Sequence, residues 1–151
     1  SNTAKCEQYN GTSWTEVADL NTAKSSCGHF GTQTASIAVR GAGNNTESWN
    51  GSSWTNLPAS VVVFDGGNHG GGTQTAGVVY GPRTYNATEL WDGTTWATSA
   101  KYSTSRGGNN AGDSTSGLLV GGYTGSANTN ATEEFTGATT GSATVKTIDF
   151  D

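Results

Sequence analysis

The chain has 151 residues, of which 32% are apolar and 13% charged, the bulk being Gly, Thr, Ser, Ala and Asn; that length suffices for one domain with a core of its own. A net charge of −5, a pI near 4.8 and only seven Lys and Arg scattered along the chain exclude the basic stripe that a nucleic-acid groove needs. The longest apolar run, Val61-Val62-Val63-Phe64, is far short of the roughly 20 residues of a membrane helix, and no stretch reads as a secretory signal.

In chain order, residues 1–5 read as the end of a connecting loop. The chain holds no Met and opens inside a repeat, which predicts a processed chain or the ordered part of a longer protein. Residues 6–17 read as a β-hairpin around Asn10-Gly11, because Asn-Gly and Asp-Gly accept the positive φ of a tight turn. A loop follows at 18–24. Two further strands flank Gly31-Thr32-Gln33-Thr34-Ala35, the second being the β-branched Ser36-Ile37-Ala38-Val39.

The same grammar returns twice. A second hairpin spans 46–57, Gly72-Thr73-Gln74-Thr75-Ala76 comes back, and Gly77-Val78-Val79-Tyr80 follows. A third hairpin spans 88–98, with Gly112-Asp113-Ser114-Thr115-Ser116 before Gly117-Leu118-Leu119-Val120. Thr132-Glu133-Glu134-Phe135-Thr136-Gly137 is a degraded fourth hairpin start, and residues 143–150 alternate like one final strand, which could pair with an N-terminal strand and close a ring, within one chain or between chains. No sustained 3.6-residue period occurs, so no helix is expected. The hairpin loops have either two residues or four; four would set Trp49 opposite Trp54.

Glu7, Glu47, Glu89 and Glu133 lie 40, 42 and 44 residues apart, the mark of a repeat array. The expected architecture is a single all-β repeat domain over 1–151, with repeats at 5–45, 46–87 and 88–131 and a partial closing repeat at 132–151. Four short antiparallel strands per period is the spacing of a β-propeller blade, so about three blades are present. Aromatic residues returning in phase, namely Tyr9, Trp14, Trp49, Trp54, Trp91, Trp96 and Phe135, are expected to pack between sheets. The repeated glutamates are expected to accept hydrogen bonds from backbone amides or Trp indoles. A catalytic carboxylate pair is normally two unique residues in one asymmetric site, which repetition argues against.

An aliphatic strand, Gly121-Gly122-Tyr123, a Glu-x-aromatic strand, an Asn/Asp-Gly turn and Trp-Thr together resemble the Kelch repeat. The phrases Gly-Thr-Gln-Thr-Ala and Thr-Glu-x-Trp-x-Gly-Ser-Ser-Trp-Thr are most similar to the Kelch-like repeats of marine bacteriophage and metagenomic structural proteins. Arg40-Gly41 and Tyr80-Gly81 depart from the pattern where Gly121-Gly122 stands. The resemblance implies a Kelch-like propeller or partial propeller acting as a non-enzymatic virion component, in a tail fibre or capsid decoration, without a cofactor. Its partners would be other virion proteins, further copies of itself, or a host-surface glycan; a secreted or cell-surface carbohydrate-binding module is the alternative.

Recognition is expected on the connections that differ between repeats, with Asn68, His69, Arg83, Tyr85 and Tyr123 as candidates. His29 and His69 on adjacent inner strands would give a metal only two ligands. A copper-radical oxidase of the Kelch type needs a Cys-modified Tyr and two His, for which Cys6, Cys27 and the two histidines are too few and too clustered. Cys6 and Cys27 have no later counterparts and so form no disulfide framework. The sequons at Asn10, Asn44, Asn50, Asn86 and Asn130 arise readily in a chain so rich in Asn, Ser and Thr.

Overall fold

The computed structural model describes residues 1–63, 69–82, 84–137 and 144–148. Among these residues there is no helix. The strands are β1 (Cys6–Tyr9), β2 (Trp14–Val17), β3 (Gly28–Thr32), β4 (Ala35–Val39), β5 (Thr46–Trp49), β6 (Trp54–Leu57), β7 (His69–Thr73), β8 (Ala76–Tyr80), β9 (Thr88–Trp91), β10 (Trp96–Ser99), β11 (Gly107–Gly112), β12 (Ser116–Tyr123), β13 (Asn128–Thr136) and β14 (Thr144–Ile148). They form three four-stranded antiparallel meanders, β3 to β6, β7 to β10 and β11 to β14, and a two-stranded sheet, β1–β2. Each sequence repeat therefore closes one sheet with its hairpin and opens the next with its second half.

Pairings Tyr9↔Trp14, Trp49↔Trp54 and Trp91↔Trp96 settle the hairpin loops at four residues. The turn's first side chain shapes it: Asn50 Oδ1 accepts the amides of Ser52 and Ser53, both at 2.9 Å, and Asp92 Oδ1 accepts those of Thr94 and Thr95 at 2.8 and 2.7 Å. Gly51, at φ 94°, takes the left-handed step that a side chain would oppose. The Gly-Thr-Gln-Thr-Ala phrases join strands: they turn β3 into β4 and β7 into β8.

One face of each sheet packs on the opposite face of the next. Phe30, Ile37 and Val39 meet Val79, Trp91 and Trp96, while Val78, Tyr80 and Tyr102 meet Leu119 and Phe135. The first strands lie side by side, β3 against β7 and β7 against β11. Small residues permit the approach. A Cβ on Gly77 would run into the Phe30 ring, one on Gly117 into the Tyr80 hydroxyl, and one on Gly71 into the Gly112 carbonyl.

The C-terminal strand departs from expectation. β14 pairs with β13, from Thr132↔Ile148 to Thr136↔Thr144, and so supplies the fourth strand of the last sheet, and among the described residues of this chain it joins no N-terminal strand. The degraded motif at 132–137 lacks the Asn-Gly turn, and its partner strand starts only at Thr144.

Candidate functional site

The three four-stranded sheets share a plan that gives the molecule two distinct ends. At the turn end sit the short reversals, residues 10–13, 33–34, 50–53, 74–75, 92–95 and 113–115. At the other end lie the longer connections at 18–27, 40–45, 81–87, 100–106 and 124–127, because the start of each first strand is level with the end of the second and the start of the third. This connection end gathers His69, Tyr85 and Tyr123; the other two candidates, Asn68 and Arg83, lie outside the described residues.

The connections that lead from one sheet to the next are anchored from below by buried carboxylates. Glu47, Glu89 and Glu133, at 0%, 0% and 1% exposure, sit on β5, β9 and β13. Glu47 accepts the amides of Asn21 at 2.7 Å and Thr22 at 3.1 Å, with Lys24 Nζ 3.4 Å away. Glu133 accepts the Ser103 amide at 2.7 Å and Arg106 Nη1 at 2.5 Å. Glu89 accepts the Val62 amide at 3.0 Å, but its cation comes from the neighbouring sheet: Arg40 Nη2 donates to it across the junction. Arg40 stands at the place of Gly121 and takes the same left-handed backbone, φ 63° against 54°. Such a conformation costs a non-glycine residue about 1–3 kcal/mol, offset here by pairing a buried carboxylate.

The amide half of the expectation for the glutamates therefore holds at three positions and the indole half at none. The indoles serve elsewhere: Trp49 and Trp91 Nε1 donate to the carbonyls of Gln33 and Gln74, at 3.0 and 2.8 Å. The same two glutamines stitch successive sheets, since Gln33 Nε2 donates to the Tyr9 carbonyl and Gln74 Nε2 to the Trp49 carbonyl, both at 2.6 Å. Glu7 differs: it is exposed on β1, and Tyr9 and Trp14 are 44% and 65% exposed, against 5% for Trp49 and 2% for Trp91. The expectation that they pack between sheets fails for this pair, because no sheet covers the β1–β2 face that bears them. Trp49, Trp91, Trp96 and Phe135 are buried and Trp54 is half-buried.

On the connection end, Tyr102 fastens the β8–β9 connection. Its buried hydroxyl lies 2.9 Å from the Gly81 carbonyl and 3.0 Å from that of Tyr85, and burial pushes its pKa up to about 12. The Tyr85 ring is left 38% exposed, with Lys101 Nζ 4.9 Å from its centre. Tyr123 is 41% exposed and its hydroxyl donates to the Gly125 carbonyl at 2.9 Å, which fixes the ring over its own turn. His69 is not on a loop; it begins β7 and is half-buried, and its pKa is lowered by burial and by the proximity of His29. Among the described residues no three His, Cys, Asp or Glu side chains converge as metal ligands. Cys6 and Cys27 are free thiols, both raised in pKa chiefly by burial. The side-chain amides of Asn44 and Asn86 donate to the carbonyls of Ser60 and Tyr102, at 2.9 and 2.5 Å, so these two sequons serve the fold.

Reading the sequence alone misses Lys24, Arg40 and Arg106 as partners of the glutamates, Tyr102 as the anchor and Lys101 beside Tyr85. One signal was available: in a chain with seven Lys and Arg, Lys24 and Arg106 each fall just before a first strand.

No protein-family model matches the chain, and no curated protein matches it. Among solved structures it is similar to that of YjhT, with a TM-score of 0.70 at 15% identity, over 88% of this chain and 48% of that one. The chain thus spans about half the length of that structure, and at this identity the likeness bears on fold alone.

Proposed function

We propose that the chain is a non-enzymatic scaffold and attachment component of a virus particle, a tail-fibre or capsid-surface element that presents recognition loops on one end of a rigid β array. In this reading the four-stranded sheets are blades of a Kelch-like propeller, with β3, β7 and β11 as the innermost strands. The observation that carries it is the division of the molecule into two ends. One end has only short turns of two to four residues, four of them capped by the side chain of Asn10, Asn50, Asp92 or Asp113. The other has connections of unequal length, six residues at 40–45, seven at 81–87 and four at 124–127; Arg40 ties the first to Glu89, Tyr102 fastens the second, and Tyr85 and Tyr123 are exposed. A regular scaffold whose longer connections differ and gather at one end is suited to recognition. Glu47, Glu89 and Glu133 are each engaged by a cation and by backbone amides, which supports a structural role over acid–base chemistry.

The virion assignment is tested by mass spectrometry of virus particles purified from the source of the sequence. Peptides of this chain at structural-protein abundance are expected; their absence from intact particles overturns the assignment. Carbohydrate binding on a non-viral surface protein is the second reading, favoured by the exposed rings of Tyr85 and Tyr123, since flat aromatic faces stack on sugars.

A further inference from the structure

β5, β9 and β13 each lie between an outer strand and an aliphatic second strand, β4, β8 or β12. β1 has its outer neighbour β2 but, among the described residues, no strand on its other edge. It is otherwise set up as β5 is. The Leu20 amide donates to the carbonyl of Ala4, two residues before β1, at 2.9 Å, just as the Ser60 amide donates to that of Asn44, two residues before β5, at 2.9 Å. The hairpin turns match, and Gln33 grips Tyr9 as Gln74 grips Trp49. Between β1–β2 and the facing sheet lies a cavity of about 560 Å³, lined by Cys6, Lys24, Cys27, His29 and Ala38 among others. At the two complete junctions that place is filled by the preceding sheet's first two strands, through Phe30, Ile37 and Val39 or through Val78 and Tyr80.

We propose that the open edge of β1 is a docking site for a β-hairpin of the repeat's own first-and-second-strand kind, supplied from outside residues 1–151. The aliphatic strand of that hairpin pairs antiparallel with Cys6–Tyr9, and its apolar face fills the cavity. The three complete sheets specify the occupant. A small residue faces the third-strand aromatic in every one, Ser36 at Trp49, Gly77 at Trp91 and Gly117 at Phe135, so Gly or Ser belongs opposite Tyr9. Ile37, Val78 and Leu118 predict an aliphatic residue opposite Gln8. A folded second copy cannot supply it, because its three hairpins, β3–β4, β7–β8 and β11–β12, are each committed to their own sheets. Unpaired edges with alternating side-chain seats are what strand addition uses. This inference rests on the sheet pairing and is independent of the attachment reading.

The test supplies the hairpin. A copy of residues 69–81 is fused ahead of Ser1, leaving six residues before β1, as many as separate β4 from β5; a synthetic peptide of residues 69–80 is also added in trans to the unmodified chain. The control fusion carries Val78→Ser and Val79→Ser in the added copy. Hydrogen exchange of the residue 6–9 amides and alkylation of Cys6 are the readouts. At least tenfold slowing of both is expected from the fusion, a smaller slowing from the peptide, and little from the control. The proposal is overturned if neither fusion nor peptide slows them, if the control slows them equally, or if the unmodified chain alone already protects them in a concentration-dependent way.

Discussion

At the scale of single residues, the fold depends on placing three carboxylates where no water reaches and giving each a cation. The Glu133–Arg106 pair is the cleanest case, with side chains 1% and 0% exposed. Removing one member of a buried pair strands the other charge, at a cost of about 3–5 kcal/mol. Arg106→Met should therefore lower stability by about that much in urea denaturation. Adding Glu133→Gln should restore more than half, because Gln removes the stranded charge yet still accepts the Ser103 amide. Burial alone would raise the Glu133 carboxyl, but the hydrogen bonds from Arg106 and Ser103 outweigh it and hold the group below its ordinary value of 4.5. His69 is likewise held below its ordinary 6.5, first by burial and then by His29. Both folded-state values are depressed, so the unfolded chain binds protons first as pH falls. Stability should decline from about pH 6.5 through His69 and again below about pH 4.5 through Glu133. In thermal melts across pH, His69→Gln should remove the first step and leave the second. The repeated Glu was legible as a structural acceptor because it recurs in phase. Its partners were not, because Lys24, Arg40 and Arg106 come from two different kinds of place, the entering loop and the neighbouring sheet.

Between elements, what matters is how closely one sheet approaches the next, and glycine sets that distance. The Tyr80 ring lies over Gly117, and its hydroxyl is buried without a hydrogen-bond partner among the described residues. A methyl at Gly117 would meet that hydroxyl first, so Gly117→Ala should cost about 1–3 kcal/mol, as overpacking does. In a Tyr80→Phe background the same change should cost clearly less. Tyr80→Phe alone should be neutral or mildly stabilising, since it removes an unsatisfied polar group. Equal costs of Gly117→Ala in the two backgrounds, measured by denaturant midpoint, would show that the contact is not where the junction is tight. Strand order and hairpin position could be read from the Asn-Gly and Asp-Gly turns and from the aliphatic second strands. The loop length could not: two- and four-residue loops both suit Asn-Gly, and the four-residue form is held by the Asn50 side chain and by Trp49 packed at a tilt against Trp54, with ring centres 5.3 Å apart. Nor could the place of the last strand, since its alternation is equally good against any open edge and pairing with β13 is a tertiary choice.

The whole molecule divides its labour: a stack of alike sheets, closed by short turns at one end and by longer, individual connections at the other. The sequence shows the repeat and the differing connections. It does not show that those connections share one end, because that follows from the strand register. The exposed aromatic rings offer contact area at little cost in side-chain freedom. Binding should therefore depend on Tyr85 and Tyr123 and be indifferent to the opposite end. The most direct measurement is glycan-array binding of the unmodified chain, a Tyr85→Ala/Tyr123→Ala variant and a Thr94→Ala control at the turn end, with melting temperatures taken on the same samples. The account predicts selective binding that weakens at least tenfold in the tyrosine variant, unchanged binding in the control, and similar melting temperatures for all three. No selective binding by the unmodified chain, or binding that survives loss of both tyrosines, would contradict it.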